Sequence, residues 1–323
     1  MKRDIDNMLN LPDSLLTELQ DSENILLVGA GGGFDVLATL PLYYSLVNQY
    51  DIKVHIANYS FVHFTALKEL NKTIEFEPKI QGATSTMLAA TNHFPEGYLA
   101  EFFKEGFGTD TTIWMLDRHQ TIKELQGSYE RFLKQLGIDT VIVCGYGARS
   151  IMRGNEERSG DMLHTTINMG ALNGISSVKK YLMTIGHELN SPKPVSLNSS
   201  LENISLITKQ GGYLGGLMLE PQMASYAFMK SAFEYIVQQE NHESSPVIET
   251  VIVGTEGGFG PYENGALVCA LMNQCHFFDL NVVMAFNQVF PMVEQIDDYS
   301  QLVQEGMSLI KNSNNRAFMP VPA

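Results

Sequence analysis

Apolar positions in this chain follow two rhythms. Continuous runs of four to seven residues end in glycine or small polar residues, and longer stretches repeat every three to four positions. The first kind predicts buried strands and the second amphipathic helices. The clearest junction is Ile25-Leu-Leu-Val-Gly-Ala-Gly-Gly-Gly-Phe-Asp35, where an apolar run enters Gly29, Gly31, Gly32 and Gly33 and an amphipathic stretch starts at Val36. It predicts a strand, a tight glycine turn and a helix over 36–48. By the same reasoning strands are expected at 52–58, 111–116, 140–144, 179–185 and 248–253, and helices at 11–21, 120–136, 161–172, 219–240 and 299–312.

Strands alternating with helical crossovers predict an α/β chain, a Rossmann-like three-layer sandwich with a mostly parallel sheet and helices on both faces. Residues 1–323 are expected to form a single domain. Two stretches break the pattern. Residues 71–110 lack clear periodicity and are expected to form an insertion or lid beside the site. The Ser, Asn and Pro-rich stretch 189–200 is a candidate hinge.

Composition narrows the function classes. With 44% hydrophobic residues the chain can bury a large core. A net charge of −15, with few and scattered Lys and Arg, excludes a phosphate-backbone binder, so no nucleic-acid partner is expected. No run approaches ~20 uninterrupted apolar residues, so no membrane partner is expected either. Lys2, Arg3, Asp4 and Asp6 precede any apolar run, unlike a secretory leader. The three cysteines form no Cys-x-x-Cys pair, which fits a reducing, cytoplasmic setting and argues against structural zinc.

The candidate chemistry lies at strand ends, where open α/β sheets bind their ligands. Bare glycine backbone and the first N–H groups of a following helix favour an anion over Gly29, Gly31, Gly32 and Gly33. The spacing departs from the dinucleotide fingerprint, because Phe34 stands in the third glycine slot and Gly33 comes one residue early. Asp35 is either an N-cap or a catalytic acid. The most charged loop, Arg149-Ser-Ile-Met-Arg-Gly-Asn-Glu-Glu-Arg-Ser-Gly-Asp161, offers Arg149 and Arg153 as an anion clamp. It also offers Glu156, Glu157 and Asp161 as acid/base groups or magnesium ligands, with local salt bridges as the alternative. The strand-end rule also gathers Asn58, Asp117, Arg118, His119, Ser150, His187 and Glu188. Glu256 and Asn264 join the candidates on a second glycine-rich loop, where Gly-Gly-Phe recurs after the apolar run 248–253. Asp279 is expected to cap a helix or pair inside the core. His55, His63, His93, His164 and His276 are expected to be packed rather than catalytic.

Three passages carry a resemblance: Gly29-Ala-Gly-Gly-Gly-Phe-Asp-Val36, Arg153-Gly-Asn-Glu-Glu157 with Asp161, and Leu271-Met-Asn-Gln-Cys-His-Phe-Phe-Asp279. Together, in order and spanning nearly the whole chain, they resemble the uncharacterised family known as domain of unknown function 1152. The resemblance implies one continuous unit and no particular reaction. The family pattern also implies an acidic residue near Gly147 or Ala148, which this chain lacks.

The expectation that follows is a small-molecule enzyme, a hydrolase or group transferase, binding a nucleotide-like or phosphorylated ligand. Redox chemistry fits less well, because Asn58, Tyr59 and Ser60 stand where an acidic ribose-binding residue would follow the second strand. The alternatives are a non-catalytic metabolite sensor and a diverged scaffold for a protein partner. The cofactor is unknown, with Mg the candidate, and a homo-oligomer is compatible with the sequence.

Overall fold

The structure is a computed structural model that describes residues 9–69, 74–87, 93–156, 159–187, 195–239, 243–262 and 267–312. Its strands are β1 (Asn24–Gly29), β2 (Lys53–Ser60), β3 (Ile74–Glu77), β4 (Ile80–Ala83), β5 (Ile113–Asp117), β6 (Thr140–Tyr146), β7 (Lys179–Ile185), β8 (Tyr213–Met218), β9 (Gly260–Pro261), β10 (Leu267–Val268) and β11 (Gln274–Asp279). Nine of these form one sheet in the order β3-β4-β5-β2-β1-β6-β7-β11-β8, while β9 and β10 make a small hairpin of their own. β1 pairs in parallel with β2 and β6, β2 with β5, and β6 with β7. The two flanks turn antiparallel: β4 against β5, β3 against β4, and β11 against both β7 and β8. The result is a mixed α/β fold around a mostly parallel sheet.

The apolar runs explain the centre. Side chains alternate across a strand, so a strand covered on both faces is apolar throughout. In β1, Ile25 and Leu27 enter one buried cluster with Leu42, Phe103 and Met229, whereas Leu26 and Val28 enter another with Tyr129, Leu163 and Val283. The helices are cut by local chemistry. Helix Ile122–Leu136 begins at a capping box, in which Thr121 Oγ1 accepts from Glu124 N and the Glu124 side chain accepts from Thr121 N. It ends at Gly137, whose φ of +67° terminates the turn.

Several expectations need correction. Residues 248–253 are not a strand. They lie in the helix Pro246–Thr255, started by Pro246 in its first turn. A short apolar run does not distinguish a strand from a buried helix, and the recurrence of Gly-Gly-Phe therefore joins unlike elements. The segment 71–110 is not irregular in its described part: it contributes β3, β4 and the helix Pro95–Phe107, and β4 extends the sheet. The candidate hinge falls partly outside the described residues, and its end is already the helix Leu197–Lys209. No described helix is long and apolar enough to cross a membrane.

Candidate ligand site at the strand ends

The strand order reverses direction of travel between β1 and β6, and the loops leaving these two strands meet above their carboxyl ends. There the glycine turn is closed by its own chain. Asp35 Oδ2 accepts from Gly31 N at 3.0 Å and Gly32 N at 2.6 Å. Asp35 Oδ1 accepts from Tyr146 N at 3.3 Å and from Arg149 Nη2 at 3.0 Å. The turn's carbonyls are satisfied as well. Asn168 Nδ2 donates to Gly29 O and Ala30 O at 3.1 and 3.0 Å, and is itself held by Tyr129. The bare glycines serve close packing: a Cβ on Gly31 would lie 2.8 Å from Thr165 N.

This geometry revises the roles expected for the turn. The N–H groups of Gly31 and Gly32 already hold an anion, the buried carboxylate of Asp35. Asp35 is not an N-cap either, since Phe34 occupies that position and the carboxylate reaches back into the turn. Arg149 does reach the glycine turn, but as the counter-ion of Asp35. A ligand anion at this spot would have to displace the pair.

The loop after β6 supplies less chemistry than its charge suggests. Glu156 is buried, accepting from Arg153 N at 2.7 Å, Gly154 N at 2.8 Å and Asn203 Nδ2 at 2.8 Å, so it braces its own loop. The Arg153 carbonyl accepts from Gln288 N. Asp161 sits in the bend before the helix Leu163–Asn173 without capping it, because Met162 is the N-cap residue. Among the described residues no three His, Cys, Asp or Glu side chains gather as a metal cluster. Glu157, Glu188 and Asn264 lie outside the described residues. Glu256 ends a helix rather than following a strand, and its carboxylate is committed to Lys230 and to Tyr226 Oη.

Beneath the turn lies a polar layer, of which the strand-end rule gathers Asn58 and Ser150 but not Glu96 or Thr165. Asn58, on β2, donates through Nδ2 to Gly33 O at 2.9 Å and to Glu96 Oε1 at 2.7 Å. Glu96 is fully buried at the start of the helix Pro95–Phe107. Burial raises its carboxyl above the ordinary range, against the pull of Ser60 and Asn58. Asn58 Oδ1, Glu96 Oε2, Ser150 Oγ and Thr165 Oγ1 are all buried without a hydrogen-bond partner. Such atoms are few in folded proteins, and here four of them surround one turn.

The most reactive inventory stands at the end of β5, in Asp117-Arg118-His119. Asp117 Oδ1 lies 2.9 Å from His119 Nδ1 and accepts from His119 N at the same distance, while Oδ2 accepts from Lys79 Nζ at 2.8 Å. Burial pushes the Asp117 carboxyl up, but Lys79 and His119 outweigh it and hold it below the usual carboxylate range. The Arg118 guanidinium lies 4.2 Å over the Phe61 ring, and its Nε is buried without a hydrogen-bond partner. Among the described residues no carboxylate pairs with it. The His119 ring, about a third exposed, stacks on His63 at 5.4 Å and meets Tyr299 edge-on. His164 joins this cluster to the glycine turn, 5.4 Å from Phe61 and next to Thr165. His63 and His164 were expected to be merely packed. Only proximity in the fold, invisible in their spacing, brings them here.

A cavity of about 340 Å³ between Leu16, Ser22, Tyr50 and Asp51 lies at the opposite, amino ends of β1 and β2. Its lining carries no acid–base pair of the Asp117–His119 kind. The chain matches no protein-family model and no curated protein.

Proposed function

We propose that this chain binds an anionic small molecule, nucleotide-like or phosphorylated, at the carboxyl ends of β2 and β5, and acts on it as a hydrolase or group transferase. One observation carries the reading: a guanidinium with no carboxylate partner among the described residues stands beside an imidazole oriented by an ionised aspartate. In a chain of net charge −15, a cation at a strand end that no described carboxylate pairs with is a specific feature. Arg118 offers planar donors to a phosphate or carboxylate. Asp117 fixes the His119 tautomer through Nδ1, leaving Nε2 to take a proton from water or a hydroxyl. Phe61 and His63 provide flat surfaces for an aromatic part of the ligand. Asp35 and Arg149 have a different role here: they clasp the β1 and β6 loops and fix the floor on which the ligand rests.

The strand order β5-β2-β1-β6-β7 and the two buried clusters support a Rossmann-like three-layer arrangement for this site. The likeness to domain of unknown function 1152 rests on the quoted residues and brings no reaction with it. A non-catalytic sensor on the same cluster is the second reading, favoured by the internally satisfied glycine turn.

A thermal-shift screen over nucleotides, sugar phosphates and acidic metabolites, with and without magnesium, tests the proposal. Arg118→Ala should abolish the stabilisation by any hit, and His119→Gln should retain it. Turnover of the hit by the parent and its loss in His119→Gln would mark an enzyme, and binding without turnover a sensor. Undiminished stabilisation of Arg118→Ala would remove this site from consideration.

A further inference from the structure

Two imidazoles meet at the junction of β7 and β11, away from the Asp117–His119 pair. Gly186 follows β7 with φ +75°, and a Cβ there would lie 2.8 Å from the Met272 carbonyl. Glycine alone enters that turn without strain, and the turn brings His187 against His276. His276 stands on β11 opposite Thr184 of β7. The ring centroids are 5.5 Å apart, with the planes at 73°.

Each ring is held through Nδ1. The Ser200 hydroxyl donates to Leu197 O at 2.8 Å and lies 3.2 Å from His187 Nδ1. With its proton committed, it can only accept from Nδ1–H, so His187 Nε2 is a bare lone pair. The Tyr213 hydroxyl lies 3.0 Å from His276 Nδ1. Gly216 makes room for that contact, since a Cβ there would come within 2.7 Å of the Tyr213 hydroxyl and 3.1 Å of His276 Nδ1. Both Nε2 atoms are buried, that of His276 without a hydrogen-bond partner, and the Gln274 side chain lies within hydrogen-bonding reach of the His187 ring. Burial, reinforced by His187, pushes the His276 imidazole down to about 4. Burial also lowers His187, with the Gln274 amide opposing. Both rings are therefore neutral near pH 7. Beside His276 opens a cavity of about 210 Å³, lined also by Tyr213, Met218 and Gln274.

We propose that His187 and His276 bind a borderline divalent transition metal of the zinc class through their Nε2 atoms, with the Gln274 amide oxygen and water completing the coordination. Metal-binding histidines characteristically have the other ring nitrogen fixed by an oxygen partner, as Ser200 and Tyr213 fix these. Neutral imidazole suits zinc, nickel or copper, whereas magnesium prefers oxygen ligands. Binding settles His276 as the Nδ1–H tautomer, which then donates to the Tyr213 oxygen. The described residues bring no carboxylate or thiolate to the pair as a third member of such a cluster, so the remaining positions fall to neutral oxygen.

The test is titration of metal-stripped full-length protein with Zn²⁺ and, as a visible probe, Co²⁺. One ion per chain should bind, and in the parent protein Zn²⁺ should shift the Nε2 resonances of two histidines only. His187→Gln and His276→Gln should each weaken Zn²⁺ binding at least about tenfold, with Tyr213→Phe showing a smaller loss. His55→Gln should leave it unchanged. The proposal fails if no ion binds, if both glutamine variants bind as the parent does, or if the shifted resonances belong to other histidines. The resonance experiment uses the parent protein alone, so it decides the matter even where a variant does not fold.

Discussion

Asp35 and Arg149 form an ion pair whose side chains are 2% and 13% exposed. Removing one member of such a pair strands a charge, so Asp35→Ala and Arg149→Ala should each cost about 3–5 kcal/mol in chemical unfolding. The double variant should cost less than the two together, with a coupling of roughly 1–3 kcal/mol. Additive losses would mean that the two side chains do not brace one another. Glu96 makes a prediction with the opposite sense in pH. Its folded carboxyl holds a proton more tightly than the unfolded chain does, so stability falls as pH climbs from the ordinary carboxyl range through the raised folded value. Glu96→Gln lacks that slope, and its stability relative to the parent should improve as pH rises from the ordinary carboxyl range through the raised folded value. An unchanged difference across that range would show that burial leaves this carboxyl unperturbed. At this scale the sequence was only partly legible. Gly29 to Asp35 announced a special turn, because glycine density has a backbone meaning. That the carboxylate of Asp35 would itself fill the turn depends on Tyr146 and Arg149, which lie more than a hundred positions away. Glu96 gave no local sign, since its partner Asn58 is on β2, 38 positions earlier.

Elements respond to backbone contact as much as to side chains. Gly31 packs its bare Cα against the first turn of the helix Leu163–Asn173, where the nearest atom to an added Cβ is the main-chain Thr165 N. No side-chain rotation relieves that contact. Gly31→Ala should therefore cost on the order of 1–3 kcal/mol and move the helix start, seen as lower thermal stability and as shifts in the amide resonances of residues 163–166. A neutral Gly31→Ala would show that the turn and helix slide apart freely. The strand expected from Ile25 into Gly29, the helix at 120–136 and the strand at 179–185 correspond closely to β1, Ile122–Leu136 and β7, because buried apolar runs and helical periodicity are local signals. The helix Pro246–Thr255 reads as a strand in sequence because Ile248, Val251 and Ile252 are β-branched and nearly contiguous, and tertiary packing overrides that preference. β3 and β4, of four residues each, are too short to show an alternation.

At the scale of the whole molecule, the parallel centre follows from strands separated by helical crossovers, and that much was legible. The antiparallel margins were not, because pairing partners for β11 and β4 are set by which edge remains free, not by their own composition. β11 has a particular position: it is made from residues 274–279, yet it lies between β7 and β8, which are made from residues 179–185 and 213–218. On the ribosome, β7 and β8 therefore emerge as two open edges awaiting the same late segment. At ordinary elongation speeds the wait between Met218 and Gln274 lasts roughly 3–10 s. For that interval the nascent chain presents unpaired amides beside Leu214 and Leu217, an invitation to neighbouring polypeptides. A chain stopped at residue 273 should accordingly aggregate on release, and adding a peptide of residues 267–287 during refolding should suppress it. A soluble, monomeric product from the shortened chain would mean that β7 and β8 can close on each other without their intended companion.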